Sequence, residues 1–307
     1  MQAGCSKPRR AAPGIGPGAG TGRAAALAAG LVLIGALVLA ACGSSLPAAS
    51  LTGTGHRARA DGTAGAKGTP IDVFYAASLT AVMERQVGPA FDRETGYHFV
   101  GFPGGSKQLA SEIKGGLERA DVFISASPAV DKALEGRANG DWVSHAVPFG
   151  RTALEVGYDP ASRFAPQLRA HPWYEVVGEA GFRLGRTNPA VDPKGVLAEE
   201  ALEQAAARYH LPALRREAAA PGDVFPEDGL VGRAQSGQLD AGFFYGVEAA
   251  AAHIPTVPLS GFRLFATYTV ATVNRAPHPA GAARFAAFLR AAKTQSVLRA
   301  DGMTPAS

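Results

Sequence analysis

Three times between residues 70 and 130 a short apolar run stops at small residues and a helical spacing follows. The first run, residues 71–75, is rich in Val and aromatic side chains, as a packed strand requires. It ends at Ala76-Ala77-Ser78, and Leu79, Val82, Met83, Val87 and Phe91 then recur at helical spacing. The second, residues 97–102, ends at Pro103-Gly104-Gly105-Ser106, before Leu109, Ile113 and Leu117 mark one helix face every four residues. The third, residues 121–125, runs into Ala126-Ser127-Pro128 and another helix. Strand-to-helix corners in this succession predict an α/β chain with a doubly wound parallel sheet. Such corners place hydroxyls and helix N–H groups at the carboxyl ends of strands, where anions bind. Ser78 and Ser106 are therefore candidate donors, although helix capping alone also accounts for either serine.

Further along, residues 151–158, 182–185, Ala241–Tyr245 and 267–273 read as strands. Residues 196–210 and Glu227–Gln235 read as helices, and Pro279 opens a helix expected to be the last. No internal repeat is visible.

The chain's start has a different character. Residues 1–41 hold Lys7, Arg9, Arg10 and Arg23 and no acid, and residues 24–41 are small and apolar without interruption. This is a signal-peptide pattern, with a retained membrane helix as the alternative. The four basic residues equal the formal net charge of +4, so residues 42–307 are neutral overall. The basic pI thus belongs to targeting, and a nucleic-acid partner is not expected. Leu39-Ala40-Ala41-Cys42 resembles the lipobox of bacterial lipoproteins, which implies cleavage before Cys42 and its lipidation. Residues 42–69 are too poor in large apolar residues to build a core and read as a flexible tether. The expected location is the outer face of the cell membrane, held by lipid. Cys5 and Cys42, the two cysteines, both precede the folded body, which therefore contains no disulfide.

Taken in order, Ala76-Ala77-Ser78-Leu79, Gly104-Gly105-Ser106 and Ala120-Asp121-Val122-Phe123-Ile124-Ser125-Ala126 resemble the molybdate-binding proteins of ABC transporters. The later motifs are similar to the archaeal molybdate/tungstate branch of that family. They are Leu184-Gly185-Arg186-Thr187-Asn188-Pro189 with Asp192-Pro193 and Gly195, then Pro226-Glu227-Asp228, then residues 235–245. The resemblance spans about residues 70–305. It implies a two-lobed periplasmic-binding-protein fold, each lobe a doubly wound sheet flanked by helices, with the ligand cleft between lobes. Lobe I would comprise residues 70–148 and 267–307, and lobe II residues 149–266. It further implies that Ser78 and Ser106 donate from one lobe while Asp192, Glu227 and Tyr245 reach in from the other. The implied partners are an ABC permease and a small inorganic oxyanion, with no cofactor and a monomeric protein. Two positions depart from the pattern: Lys194 between Pro193 and Gly195, which alters the charge beside the anion, and Gly246-Val247 after the tyrosine.

The acids raise a physical problem. The oxygens of molybdate and tungstate accept hydrogen bonds and donate none, so an ionised carboxylate beside them is repelled. Either the carboxylates are protonated and donate, or Asp192 and Glu227 ligate the Mo or W atom directly. The resemblance favours the second. Each acid also has a plain role, Asp192 as a cap before Pro193 and Glu227 as a first-turn acid. Ser125 and Ser127 are expected to be structural. Arg151 and Arg186 are expected to pair with acids, and Trp142, Trp173 and Tyr174 to pack. A binding protein for sulfate or phosphate is one alternative. A lipid-anchored serine hydrolase is another, opposed by the absence of any hydrolase motif.

Overall fold

The computed structural model describes residues 68–116 and 119–306. The expected signal peptide, Cys42 lipidation and tether lie outside the described residues. Among those described, no helix is long and apolar enough to cross a membrane.

Nine strands form one mixed sheet. They are β1 (Pro70–Ala76), β2 (His98–Gly104), β3 (Val122–Ser125), β4 (Val147–Tyr158), β5 (Leu184–Thr187), β6 (Val224–Phe225), β7 (Ala241–Tyr245), β8 (Thr256–Pro258) and β9 (Phe265–Thr272). Their order is β2-β1-β3-β9-β4-β7-β5-β6, with β8 on β4. Two parallel trios, β2-β1-β3 and β7-β5-β6, occupy opposite ends. The antiparallel pair β9 and β4 joins them: β4 gives residues 147–153 to β9 and residues 154–158 to β7. The parallel corners are thus as expected, while the sheet as a whole is mixed.

β1 shows why its sequence is apolar at nearly every position. Ile71, Val73 and Tyr75 face one cluster, with Phe91, Phe285 and Leu289. Phe74 faces another, with Leu109, Ile113, Phe123 and Leu134. A parallel strand covered by helices on both faces has no solvent side to fill with polar residues. The residues at helical spacing after Ser78 (Leu79, Val82, Met83, Val87 and Phe91) are all buried. Trp173 lies edge-on to Phe243 at 5.7 Å between ring centres, and Tyr174 stacks on Tyr209 at 4.0 Å; both pack, as expected.

Three local expectations need correction. Ser78 does not cap a helix. It sits inside a short 3-10 turn, Ala77–Leu79, and makes no capping bond. The helix Val196 was expected to open begins instead at Pro193, because Asp192 supplies the cap. Pro279–Arg290 is not the last helix, since Ala292–Ala300 follows it after one extended residue, Ala291 (φ −67°, ψ 146°). No glycine or proline marks that break.

Asp131, buried under β9, adds a pH-dependent element. Its Oδ2 accepts from Thr269 Oγ1, and its Oδ1 has no partner. Burial pushes its carboxyl up to about 6, against the Thr269 hydrogen bond that lowers it. The folded state therefore binds this proton more tightly than the unfolded chain, and stability is lost as pH rises from about 4 to about 6. Asp131→Asn removes that loss. Its advantage in unfolding free energy over wild type is expected to grow by about 2–3 kcal/mol from pH 4 to pH 7.5, measured by urea denaturation.

Candidate functional site

The carboxyl ends of β1 and β2 in one trio, and of β5 and β6 in the other, meet at one cavity of about 1080 Å³. Ala77, Ser78, Gly104 and Gly105 line it from the ends of β1 and β2. Thr187, Asn188, Asp192, Phe225, Pro226, Glu227 and Glu248 line it from the ends of β5, β6 and β7. Ligands of open parallel sheets bind beyond the carboxyl ends of strands, because loops and helix N-termini converge there.

Of the residues singled out in the sequence, Ser78, Asp192 and Glu227 reach this cavity. Ser78 Oγ lies 2.9 Å from Tyr268 OH on β9. Ser106 and Tyr245 are buried and are not among the lining residues. Ser106 opens the helix Ser106–Gly115, and its Oγ accepts from Ala126 N at 3.1 Å, tying the second corner to the third. Two amides of that helix's first turn, Lys107 N and Gln108 N, donate to Val191 O at 3.0 and 3.2 Å. Lys107 Nζ donates to Pro189 O at 2.8 Å. Gly105 permits this approach, since a Cβ there would lie 2.5 Å from Val191 O. Tyr245 ends β7; its OH has no partner among the described residues, and its ring meets that of Tyr268 edge-on at 6.2 Å. Neither serine pairs with a histidine among the described residues.

Asp192 is the N-cap of helix Pro193–Tyr209, with Oδ1 accepting from Lys194 N at 2.9 Å. Its Oδ2 is buried and unpartnered. Glu227 is the first residue of helix Glu227–Gln235. Both acids therefore hold the capping or first-turn positions their sequence contexts predict, and both also face the cavity.

Lys194 ties the acids together. Its side chain is fully buried, with Nζ 2.8 Å from Glu227 Oε1 and 2.8 and 2.7 Å from the two oxygens of Glu248. Burial alone would strip its proton, but Glu227, Glu248 and Asp192 outweigh that and hold its pKa above the usual lysine value. The carboxylates give way instead: burial raises Glu227 well above its ordinary range and raises Glu248, with Lys194 opposing in both cases. Burial also raises the Tyr245 hydroxyl, and the Asp192 charge adds to it.

Arg186 is occupied elsewhere. It pairs with Glu199 at 3.0 Å and donates to Ala218 O and Ala220 O. Arg151 lies over the Phe265 ring at 4.8 Å and forms no ion pair among the described residues. Ser125 Oγ donates to Ser127 O and accepts from Ser127 N within their own corner.

Glu248 and Tyr268 went unnoticed in the sequence, Thr187 stood there only within a motif, and Lys194 only as a departure from a pattern. Thr187 Oγ1 is another buried atom without a partner. A lysine following Asp-Pro in the first turn of a helix was the one available signal, because a cation there opposes the helix dipole and needs a local reason.

Comparison with known proteins gives the family. A Haloferax volcanii protein, whose name proposes an ABC transporter molybdenum-binding role, is 26% identical over 182 residues, 59% of this chain and 56% of its own length. The chain spans about half the length of the curated relatives it matches. Among solved structures, the periplasmic molybdate-binding protein of Azotobacter vinelandii superposes with a TM-score of 0.61 at 18% identity, over 77% of this chain and 100% of that one. The sulfate-binding protein SubI of Mycobacterium tuberculosis superposes with a TM-score of 0.58 at 18% identity, over 78% and 88%. These likenesses establish a periplasmic-binding-protein fold. A model of the bacterial extracellular solute-binding proteins matches residues 71–304, and the chain belongs to that family.

Proposed function

We propose that this protein captures molybdate or tungstate outside the cytoplasm and delivers it to an ABC permease, as a monomer held to the membrane by lipid on Cys42. One observation carries the reading: Asp192 and Glu227 line the same cavity as Ser78, and each keeps an oxygen that no donor among the described residues claims. Free carboxylate oxygens repel an anion whose oxygens are also acceptors. They suit an oxoanion whose central atom accepts further oxygen ligands. Mo(VI) and W(VI) do so by expanding from four-coordination, and the sulfur of sulfate does not. Lys194 and the raised carboxyls reduce the repulsion that remains. Ser106 and Tyr245 complete the proposed set, both buried beside the cavity lining. The names of the Haloferax and Azotobacter proteins support the same ligand class.

In this reading lobe I is residues 70–148 with 267–307 and lobe II is residues 149–266. β4 and β9 form the hinge, and the Val191 carbonyl on the Ser106–Gly115 helix marks a closed state. The test is thermal unfolding with tungstate, molybdate, sulfate and phosphate. A ligand at 100 times its Kd adds about 2.7 kcal/mol, a Tm rise of roughly 5–10 °C for a body of this size. Tungstate and molybdate are expected to give that rise and sulfate none. An equal response to sulfate sinks the coordination reading and leaves a general oxyanion binder.

A further inference from the structure

Five acids line the cavity, Glu84, Asp192, Glu227, Asp228 and Glu248. Three of them meet Lys194, and Lys194 deals with each of the three differently. Its backbone N–H takes Asp192 Oδ1 and leaves Oδ2 buried and unpartnered. Its ammonium takes Glu227 Oε1, and no hydrogen bond to Oε2 is seen among the described residues. The same ammonium takes both oxygens of Glu248, whose Oε2 also accepts from Tyr245 N at 3.3 Å. An ammonium has three N–H donors, and these three acceptors use them all. Lys194 is also fully buried and absent from the cavity lining, so it cannot serve the anion as a donor. Its effect on a ligand passes through the acids it holds.

We propose that Lys194 is the positioning residue of this site: it leaves one oxygen each of Asp192 and Glu227 to the bound oxoanion and withdraws Glu248 as a counter-ion. The inference rests on the oxyanion reading above and adds a division of labour to it. A glutamate on a cavity wall has three free torsions, and fixing them costs entropy that a ligand would otherwise supply on binding. Lys194 fixes Glu227 beforehand, so the site is preorganised. It also decides the number of oxygens on offer. Without the ammonium, Glu227 can present either oxygen or both, and Glu248 becomes a further unpaired carboxylate on the cavity wall.

The experiment compares the full-length wild type with Lys194→Met and with Lys194→Met/Glu248→Gln, by tungstate titration and tungsten X-ray absorption. Lys194→Met is expected to lose at least 30-fold in affinity. The double variant removes the ammonium together with one of the two glutamate charges it pairs, so fewer buried charges are left without a partner than in the single variant. It is expected to show wild-type circular dichroism, at least tenfold weaker binding and an oxygen count around tungsten that departs from the wild type's. Wild-type affinity and oxygen count in the double variant would overturn the proposal and leave Lys194 as a buried charge partner only. Four oxygens around tungsten in the wild type, with affinity still lost in the double variant, would sink the coordination reading while upholding the positioning role. A wild type that binds none of the four anions overturns both.

Discussion

Asp192→Asn is expected to weaken tungstate binding about 100-fold, on the order of 3 kcal/mol, while the empty protein keeps its Tm. Asparagine caps a helix as well as aspartate does, so Lys194 N keeps its acceptor and helix Pro193–Tyr209 keeps its start. What is lost is the charge on Oδ2, an atom with no hydrogen-bond partner among the described residues. Asp192→Ala would lose binding and also about 1 kcal/mol of stability with the cap. Glu227→Gln is expected to weaken binding similarly. Its empty Tm holds because Lys194 still has both oxygens of Glu248. Isothermal titration paired with thermal unfolding of the empty proteins separates these effects. Wild-type affinity in Asp192→Asn would reduce Asp192 to a cap.

Gly195→Ala is expected to destabilise the protein by about 2–4 kcal/mol and to weaken binding with it. Helix propensity argues the other way, since alanine is favoured over glycine by about 1 kcal/mol inside a helix. Space decides against it. A Cβ on Gly195 would lie 2.4 Å from Thr187 O, 2.6 Å from Pro189 N and 2.8 Å from Asn188 C. All three are backbone atoms of the segment leading to Asp192, so they cannot swing aside as a side chain would. Relief requires moving the segment, and Asp192 moves with it. Gly232→Ala is the control. It sits in the exposed part of helix Glu227–Gln235 with nothing within 4 Å of its would-be Cβ. There propensity acts alone, and stability is expected to rise by up to about 1 kcal/mol. Opposite signs for one substitution in two helices, read by urea denaturation, are the expected outcome.

Ala241–Tyr245 was legible to the residue, and the core positions after Ser78 were legible as a set, because periodicity reports burial wherever an element is long and regular. The dual character of Asp192 and Glu227 was also legible, since Asp-Pro and Pro-Glu mark helix starts in the sequence whatever else the acids do. The capping reading of Ser78 failed because it rests on the local reason for a serine at a corner. The actual partner of Ser78, Tyr268, lies 190 residues away. The break at Ala291 was missed because an alanine carries no turn signal.

From its own letters the chain determined the α/β alternation, the strand ends where anion donors gather, and which acids begin helices. Each depends on residues a few positions apart, where propensity and spacing act directly. Only the tertiary structure decided that Lys194 meets Glu227, 33 residues on, and Glu248, 54 residues on. That meeting depends on β5, β6 and β7 pairing side by side so that three helix starts converge. Charge balance in a buried site is set by which groups end up within 3 Å of one another, and neighbours in sequence carry no record of that.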